Sequence, residues 1–352
     1  MRNHIREFIN ALKALRFRRP EAMDLTVLVA VGVALLAGLG LVVWLVKGPS
    51  LVVNNGHRPD LVAARSPLTG RECPDPTLRP IAVMLASDPE ARPLSGIRAA
   101  DMVFEAPVTP GGITRMMGIF QCAEPKEVGS VRSARETFIP FVLGFDAIYA
   151  HWGGEHDVLA QLDAGITDNV DALIYEGTVY FRKSSVPRPH NGFTTIEAVR
   201  EKAGDLGYRS TTSLDPYAHD DDMRAIRNLG TVADTISVPG PVGMDVVFRY
   251  DSKSKTYRRW RGGEPEIDHL DDRQVAPSVV IVMDTTTVRT YDQYIDLKTV
   301  GQGVATIYQG GRSIPGRWEK ANAEAPLRFL NAQGAPIVFT PGQIWVTIRT
   351  DL

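Results

Sequence analysis

The sequence predicts a mixed α/β protein, an alternating α/β part followed by a β-rich part, with one transmembrane helix ahead of both. Three observations carry this. Residues 25–46, LTVLVAVGVALLAGLGLVVWLV, hold no charge. From Pro67 to about Tyr208, strand-like and helix-like segments alternate, as in a layered α/β domain. After Met244, strands separated by Gly- and Pro-bearing turns dominate. The chain has 352 residues, 44% of them hydrophobic and 23% charged, with two cysteines. Those totals exclude a disordered chain, a polytopic membrane protein, a disulfide-dense scaffold and a strongly basic nucleic-acid binder.

The formal net charge of −2 is a cancellation. Residues 1–24 carry six Lys/Arg against three Asp/Glu, residues 25–46 carry none, and residues 47–352 hold −5. At about 1.5 Å per residue the apolar run reaches roughly 33 Å, enough for a bilayer core. Arg2, Arg6, Lys13, Arg16, Arg18 and Arg19 precede it, so the positive-inside rule puts the N-terminus in the cytoplasm and residues 47–352 outside. The run exceeds a secretory h-region, and WLVKGPS offers no small-residue cleavage site, so an uncleaved signal anchor in the cell membrane is expected. The lipid bilayer is then a partner through residues 25–46, and residues 47–66, with KGPS, NNG and HRPD, read as a linker. In the oxidising space outside, Cys73 and Cys122 are a disulfide candidate, with two separate buried thiols as the alternative.

Within 67–208, IAVML (81–85), MVFEAPV (102–108), ITRMMGIFQ (113–121) and DAIYAH (146–151) read as strands. Segments 134–144, 155–164 and 195–204 read as helices. Residues 209–240 are polar and aperiodic and suit a connection. In 241–352, VVFRY and TYRRW flank DSKSK as a hairpin, and SVVIVM, GVATIYQ, PIVFT and IWVTIR follow as strands.

Four places hold candidate chemistry. Ser133 and Glu136 have capping-box spacing, which sets Arg132 and Arg135 against a helix N-terminus. Either a bound anion or an internal carboxylate, Glu105 or Asp146, offsets them. His151 closes a strand before Gly153 and Gly154, where ligands of open α/β sheets gather. The alternative there is a hydrogen-bonded structural histidine. Its spacing to Glu155 and His156 departs from H-E-x-x-H, so no metal is expected, and no cofactor signature is present. Arg182, Lys183, Arg188, His190 and Asn191 sit on a Pro/Gly loop that ends in a second capping box, Thr194 with Glu197. Finally, Pro110 disfavours a primed two-residue turn between the strands at 102–108 and 113–121. A three- or five-residue loop then sets Glu105 opposite Arg115, first as a salt bridge that positions Arg115 and second as a catalytic acid.

The stretches SPLTG, RPIAVML, ARPLSGIRAADMVFEAPV, GGITRMMGIFQ, VGSVRSAR, DAIYAHWGG and RPHNGFTT, followed by TYRRW, GRWEK and PGQIWVTI, occur in this order. Across residues 66–352 the chain resembles the YerB-like family, the DUF3048 group of bacterial cell-envelope proteins. The resemblance implies a three-layer α/β sandwich in the N-terminal domain, a β-rich C-terminal domain and an extracytoplasmic location. Members are typically lipoproteins, and this chain departs by lacking the lipid-accepting cysteine. Glu266 and Ser278 stand where the family pattern has His and Asn, which puts any site there in doubt.

Two functions are carried forward. In the first, Arg115, Arg132, Arg135, His151, His190 and Asn191 bind an anionic cell-wall ligand or an envelope protein, because guanidinium forks match carboxylates and phosphates. In the second, a hydrolase or transferase uses His151 or His190 as general base, although no activated nucleophile accompanies them. No nucleic acid is expected as a partner.

Overall fold

The computed structural model describes residues 64–350, apart from 223–225, 227, 242 and 292. The basic segment 1–24, the span 25–46 and nearly all of the linker lie outside the described residues. Among the described residues no helix is long and apolar enough to cross a membrane. The fold is mixed α/β and rich in strands.

The earlier part of the chain supplies β1 (Ile81–Ala86), β2 (Met102–Pro107), β3 (Thr114–Phe120), β4 (Ile148–His151) and β5 (Asn169–Asp171). The later part supplies β6 (Thr231–Val232), β7 (Thr235–Val238), β8 (Val246–Asp251), β9 (Thr256–Arg261), β10 (Val279–Asp284), β11 (Gly301–Gln309), β12 (Arg312–Lys320), β13 (Arg328–Asn331) and β14 (Ile344–Arg349). One eleven-stranded sheet runs in the order β6, β12, β11, β10, β14, β2, β3, β1, β4, β5, with β13 beside β12. The last strand, β14, lies between β2 and β10 and is parallel to both. Segments 67–208 and 241–352 therefore share a single sheet, and residues 62–352 fall in one compact unit. The polar stretch 209–240 contributes β6 to this sheet and β7 to a smaller one, in which β7, β8 and β9 pair in succession.

Burial explains why some strands read as continuous apolar runs. β1 and β2 are buried at every position, and β10 and β14 at all but the last, because both faces of the sheet are covered there. On one face Phe104, Met117 and Ile281 pack with Phe138 and Phe141 around α1 (Ile139–Gly144) and with Val158 and Leu162 of α2 (His156–Asp163). After the short α3 (Ala172–Tyr175), α4 (Ile196–Asp205) covers the other face. Its Ile196 and Val199 share a core with Val83, Val103 and Trp345, together with Phe248 and Tyr257 of the smaller sheet. β11 alternates buried with more exposed residues, as expected where one side meets solvent.

Three local expectations are corrected. The first capping box does not form. Ala134 N–H donates to the Gly153 carbonyl at 2.9 Å, so the chain stays extended through Arg135, and a 3₁₀ turn begins only at Glu136. In the second, the cap is Thr195 rather than Thr194, its Oγ1 accepting from Ala198 N–H at 3.0 Å. The β2–β3 hairpin pairs Ala106 with Arg115 and Glu105 with Met116. Val108 N–H closes onto the Ile113 carbonyl, leaving a four-residue loop. That one-residue difference puts Glu105 and Arg115 on opposite faces, so they do not pair.

Cys73 and Cys122 form a disulfide that closes a separation of 49 residues. By loop-closure entropy, a loop of this length is worth about 4 kcal/mol. Replacing both cysteines with alanine should therefore lower the unfolding free energy in urea by about 2 to 4 kcal/mol. A loss under about 1 kcal/mol would show that the link does not constrain the unfolded chain.

Beside the disulfide, buried Asp101 accepts the backbone N–H groups of Gln121 at 2.7 Å and Cys122 at 3.3 Å. Burial nevertheless pushes its carboxyl up to about 6. An acid with a raised folded pKa binds its proton more tightly when folded. Its contribution is complete below its unfolded pKa, near 4, and is lost as pH rises through about 6. The loss amounts to about 3 kcal/mol. Unfolding curves at pH 4 and pH 7 should show Asp101→Asn gaining on the parent protein by roughly that amount, and parallel pH profiles would contradict it.

Candidate functional site

Strands β1, β2, β4, β5, β10 and β14 run in the same direction, so their carboxyl ends share one edge of the sheet. β3 is antiparallel to β1 and β2, and its first residues, Thr114 and Arg115, reach the same edge. The extended segment 130–134 laces across this edge. Ala86 N–H donates to the Ser130 carbonyl at 3.0 Å, Arg132 N–H to Met84 at 2.9 Å, and Trp152 N–H to Arg132 at 3.0 Å. Backbone bonds thus deliver Arg132 to the mouth of β1 and β4, where open α/β sheets hold ligands.

Four charged or titratable groups meet there. Arg115 donates to Asp88 at 2.7 Å, and Asp88 also feels the charges of Arg132 and His190. Asp88 sits below the ordinary carboxylate pKa; burial opposes that shift, and Arg115 and Arg132 cause it. Among the described residues Arg132 has no carboxylate within ion-pair distance. Among the described residues its side chain makes one hydrogen bond, a 3.4 Å contact from Nη1 to the Pro189 carbonyl, and its buried Nε has no partner. Buried Nδ1 of His190 and Oγ of Ser130 are also unpartnered. Burial, and then the Arg132 charge, depress the His190 pKa, which keeps the imidazole neutral. Buried polar atoms without partners, beside a guanidinium that no carboxylate pairs directly among the described residues, make a corner suited to an oxyanion.

The other expected residues are placed differently. Arg135 lies 3.0 Å from Glu155 and stacks over Tyr294 at 4.7 Å, so its charge is already met. His151 is fully buried. Its Nδ1 donates to the Gly153 carbonyl at 2.8 Å, and Nε2 faces Asn169 Oδ1 at 3.2 Å, so it braces the strand end. Asn191 accepts from Arg182 at 2.9 Å, and Arg182 stacks on Trp152 at 4.1 Å. Lys183 pairs with Glu127. Asp146 precedes β4 at the opposite, amino end of the sheet, bound by Arg79 and Arg209. Neither Glu105 nor Asp146 offsets Arg132 or Arg135, which corrects that expectation.

Glu105 serves a different cluster. It is 1% exposed and accepts from Arg259 at 2.7 Å, from Arg261, from Thr114 Oγ1 at 3.0 Å and from Trp345 Nε1 at 3.3 Å. Glu266 pairs with Arg259 from the other side, so this residue holds an ion pair. Arg261 also donates to the Ser87 carbonyl at 3.0 Å, one residue from Asp88. Beside this cluster a cavity of about 360 Å³ opens between Pro107, Val238, Met244 and Ile348, with Glu105 and Arg261 in its lining. The signal for the buried arginines was present in TYRRWR. Tyr257, Arg259 and Arg261 alternate onto one strand face, and all three are buried. Asp88 and Ser130 carried no comparable signal, because only the chain crossing brings them to Arg132.

Removing Glu105's charge leaves buried Arg261 without its carboxylate partner. Glu105→Gln should cost about 3 to 5 kcal/mol in urea unfolding, and Asp251→Asn clearly less, because its partner Arg258 is exposed. Equal losses would show that the buried pair is not what holds these strands together.

Comparison with known proteins agrees with this architecture. The model of the DUF3048 N-terminal domain, described as a protein of unknown function, matches residues 68–209, and that of the DUF3048 C-terminal domain matches residues 237–346. YerB of Bacillus subtilis (strain 168), named as a candidate lipoprotein, is 30% identical over 296 residues, covering 82% of this chain and 87% of its own. A crystal structure of the YerB protein from Bacillus subtilis aligns with a TM-score of 0.73 at 28% identity, covering 81% of this chain and 96% of that one. With both domains matched and a relative aligned along most of its length, the chain belongs to the DUF3048, YerB-like family.

Proposed function

We propose that this protein is a membrane-tethered, extracytoplasmic binding module of the cell envelope that takes an anionic group of an envelope ligand at the Arg132 corner. The carrying observation is the Arg132 guanidinium. It is held at the carboxyl edge of the sheet with a buried unpartnered Nε and no carboxylate within ion-pair distance among the described residues. Membrane tethering rests on the uncharged run 25–46 and on kinship with a protein named as a candidate lipoprotein. An oxidising location is supported by the Cys73–Cys122 link. In the same reading the N-terminal part is a three-layer sandwich, since α1 and α2 pack on one face of the sheet and α4 on the other.

His190 gives the site a pH signature. In the free protein burial and Arg132 hold its pKa below the ordinary value. A bound anion offsets the Arg132 field and raises that pKa, so the complex holds more proton than the free protein. Affinity therefore rises as pH falls through the pKa of the complex and is flat above it.

Soluble cell-wall fragments titrated onto the full chain in detergent test this. Arg132→Gln should weaken binding by about tenfold or more, the scale of a charge-assisted hydrogen bond. His190→Ala should flatten the pH dependence, and Arg135→Gln, whose charge Glu155 already meets, should change affinity less. Retention that ignores Arg132 would sink the reading. Covalent change of the fragments, seen by mass spectrometry and lost in His190→Ala, would favour the hydrolase or transferase with neutral His190 as base.

A further inference from the structure

A second site lies at the opposite, amino end of the sheet and stands independently of the Arg132 corner. Gly96, Ile97 and Arg98 precede β2 there, and Gln343 directly precedes β14. Gln343 Nε2 donates to the carbonyls of Ile97 at 2.9 Å and Ala100 at 2.8 Å, which pins the loop bearing Arg98 against the start of β14. Asp268 adds two more bonds, accepting from Gly96 N–H at 2.9 Å and Arg98 N–H at 2.8 Å. Gln274 donates to the Arg259 carbonyl at 2.7 Å and fixes the opposite wall.

Between these walls lies a cavity of about 540 Å³. Arg71, Arg98, Arg258 and Arg273 line it, its other polar side chains are hydroxyls and amides, and no acidic residue is among its lining. Two of the arginines have carboxylate partners, Arg98 with Asp271 and Arg258 with Asp251. Arg71 and Arg273 have no side-chain hydrogen bond or ion pair among the described residues; burial lowers the Arg71 pKa, and the attraction of Asp101 outweighs the repulsion of Arg98 there. With Arg98 and Arg258 met by their carboxylates, Arg71 and Arg273 are left as the cavity's two cations without an ion-pair partner among the described residues, and a negative group entering between them is favoured. The remaining lining groups supply neutral hydrogen bonds rather than counter-charge.

We infer that this arginine-lined cavity binds a ligand carrying two or more oxyanion groups, phosphate or carboxylate. Guanidinium forks bond such groups two at a time, and the volume exceeds what one phosphate fills. A ligand with two charged groups engages Arg71 and Arg273 together, whereas a single anion satisfies only one of them.

The test uses the full chain in detergent, with pyrophosphate, citrate and inorganic phosphate titrated calorimetrically at low salt. Pyrophosphate or citrate should bind one to one, at least tenfold more tightly than inorganic phosphate, and whichever binds names the phosphate or carboxylate class. Arg71→Gln with Arg273→Gln, both exposed positions, should weaken that binding at least tenfold, while Arg132→Gln leaves it unchanged. Thr256→Glu, which puts a carboxylate in the cavity wall, should abolish it and serves if the double variant misfolds. The inference is overturned if neither multivalent anion exceeds inorganic phosphate, or if the Arg71 and Arg273 variant binds as the parent does. Loss in Arg132→Gln alone would move the binding to the other end of the sheet.

Discussion

Glu105 joins the two halves of this protein. Its carboxylate, on strand β2, takes bonds from Arg259 and Arg261 on β9, while Glu266 completes the charge balance on Arg259. Two carboxylates and two guanidiniums are thereby removed from water between the large sheet and the small one. Such burial carries a heavy desolvation cost, so the cluster adds little net stability over a well-packed apolar core. What it supplies is selectivity of pairing. Slipping β9 by one residue would turn Arg259 and Arg261 away from Glu105 and Glu266 and leave four charges uncompensated. The Arg259 guanidinium over Trp345, 4.4 Å from the ring centroid, ties β14 into the same lock.

That lock determines where chemistry can occur. With β14 held between β2 and β10, most strands of the central sheet point the same way. The sheet then has two unlike ends. At the carboxyl end the segment 130–134 carries Arg132 past β1 to meet Asp88 and His190. At the amino end the loop before β2 meets the loop before β14 and collects arginines from distant parts of the sequence. Each end presents cations that internal carboxylates only partly neutralise, although the described residues are rich in ion pairs elsewhere. The pairing of Arg135 with Glu155, and of Arg79 with Asp146, shows how readily this chain satisfies a guanidinium when no vacancy is needed.

The sequence alone determined the strands whose apolar runs leave no ambiguity, the hairpin around DSKSK, the helices near 156–163 and 196–205, the family, and the residue types able to hold an anion. It did so because periodicity, turn chemistry and ordered motifs are local properties. It placed Arg132 among the candidates through a helix cap that does not form, and His190 through the Pro/Gly loop that carries it. Tertiary structure alone decided the rest. Register, set by a four-residue loop rather than three or five, sent Glu105 to one face and Arg115 to the other. Strand direction put Asp146 and His151, five residues apart, at opposite ends of the sheet. Which arginine is already paired and which stays free depends on chain crossings dozens to hundreds of residues apart, and no local pattern encodes a distance across the fold.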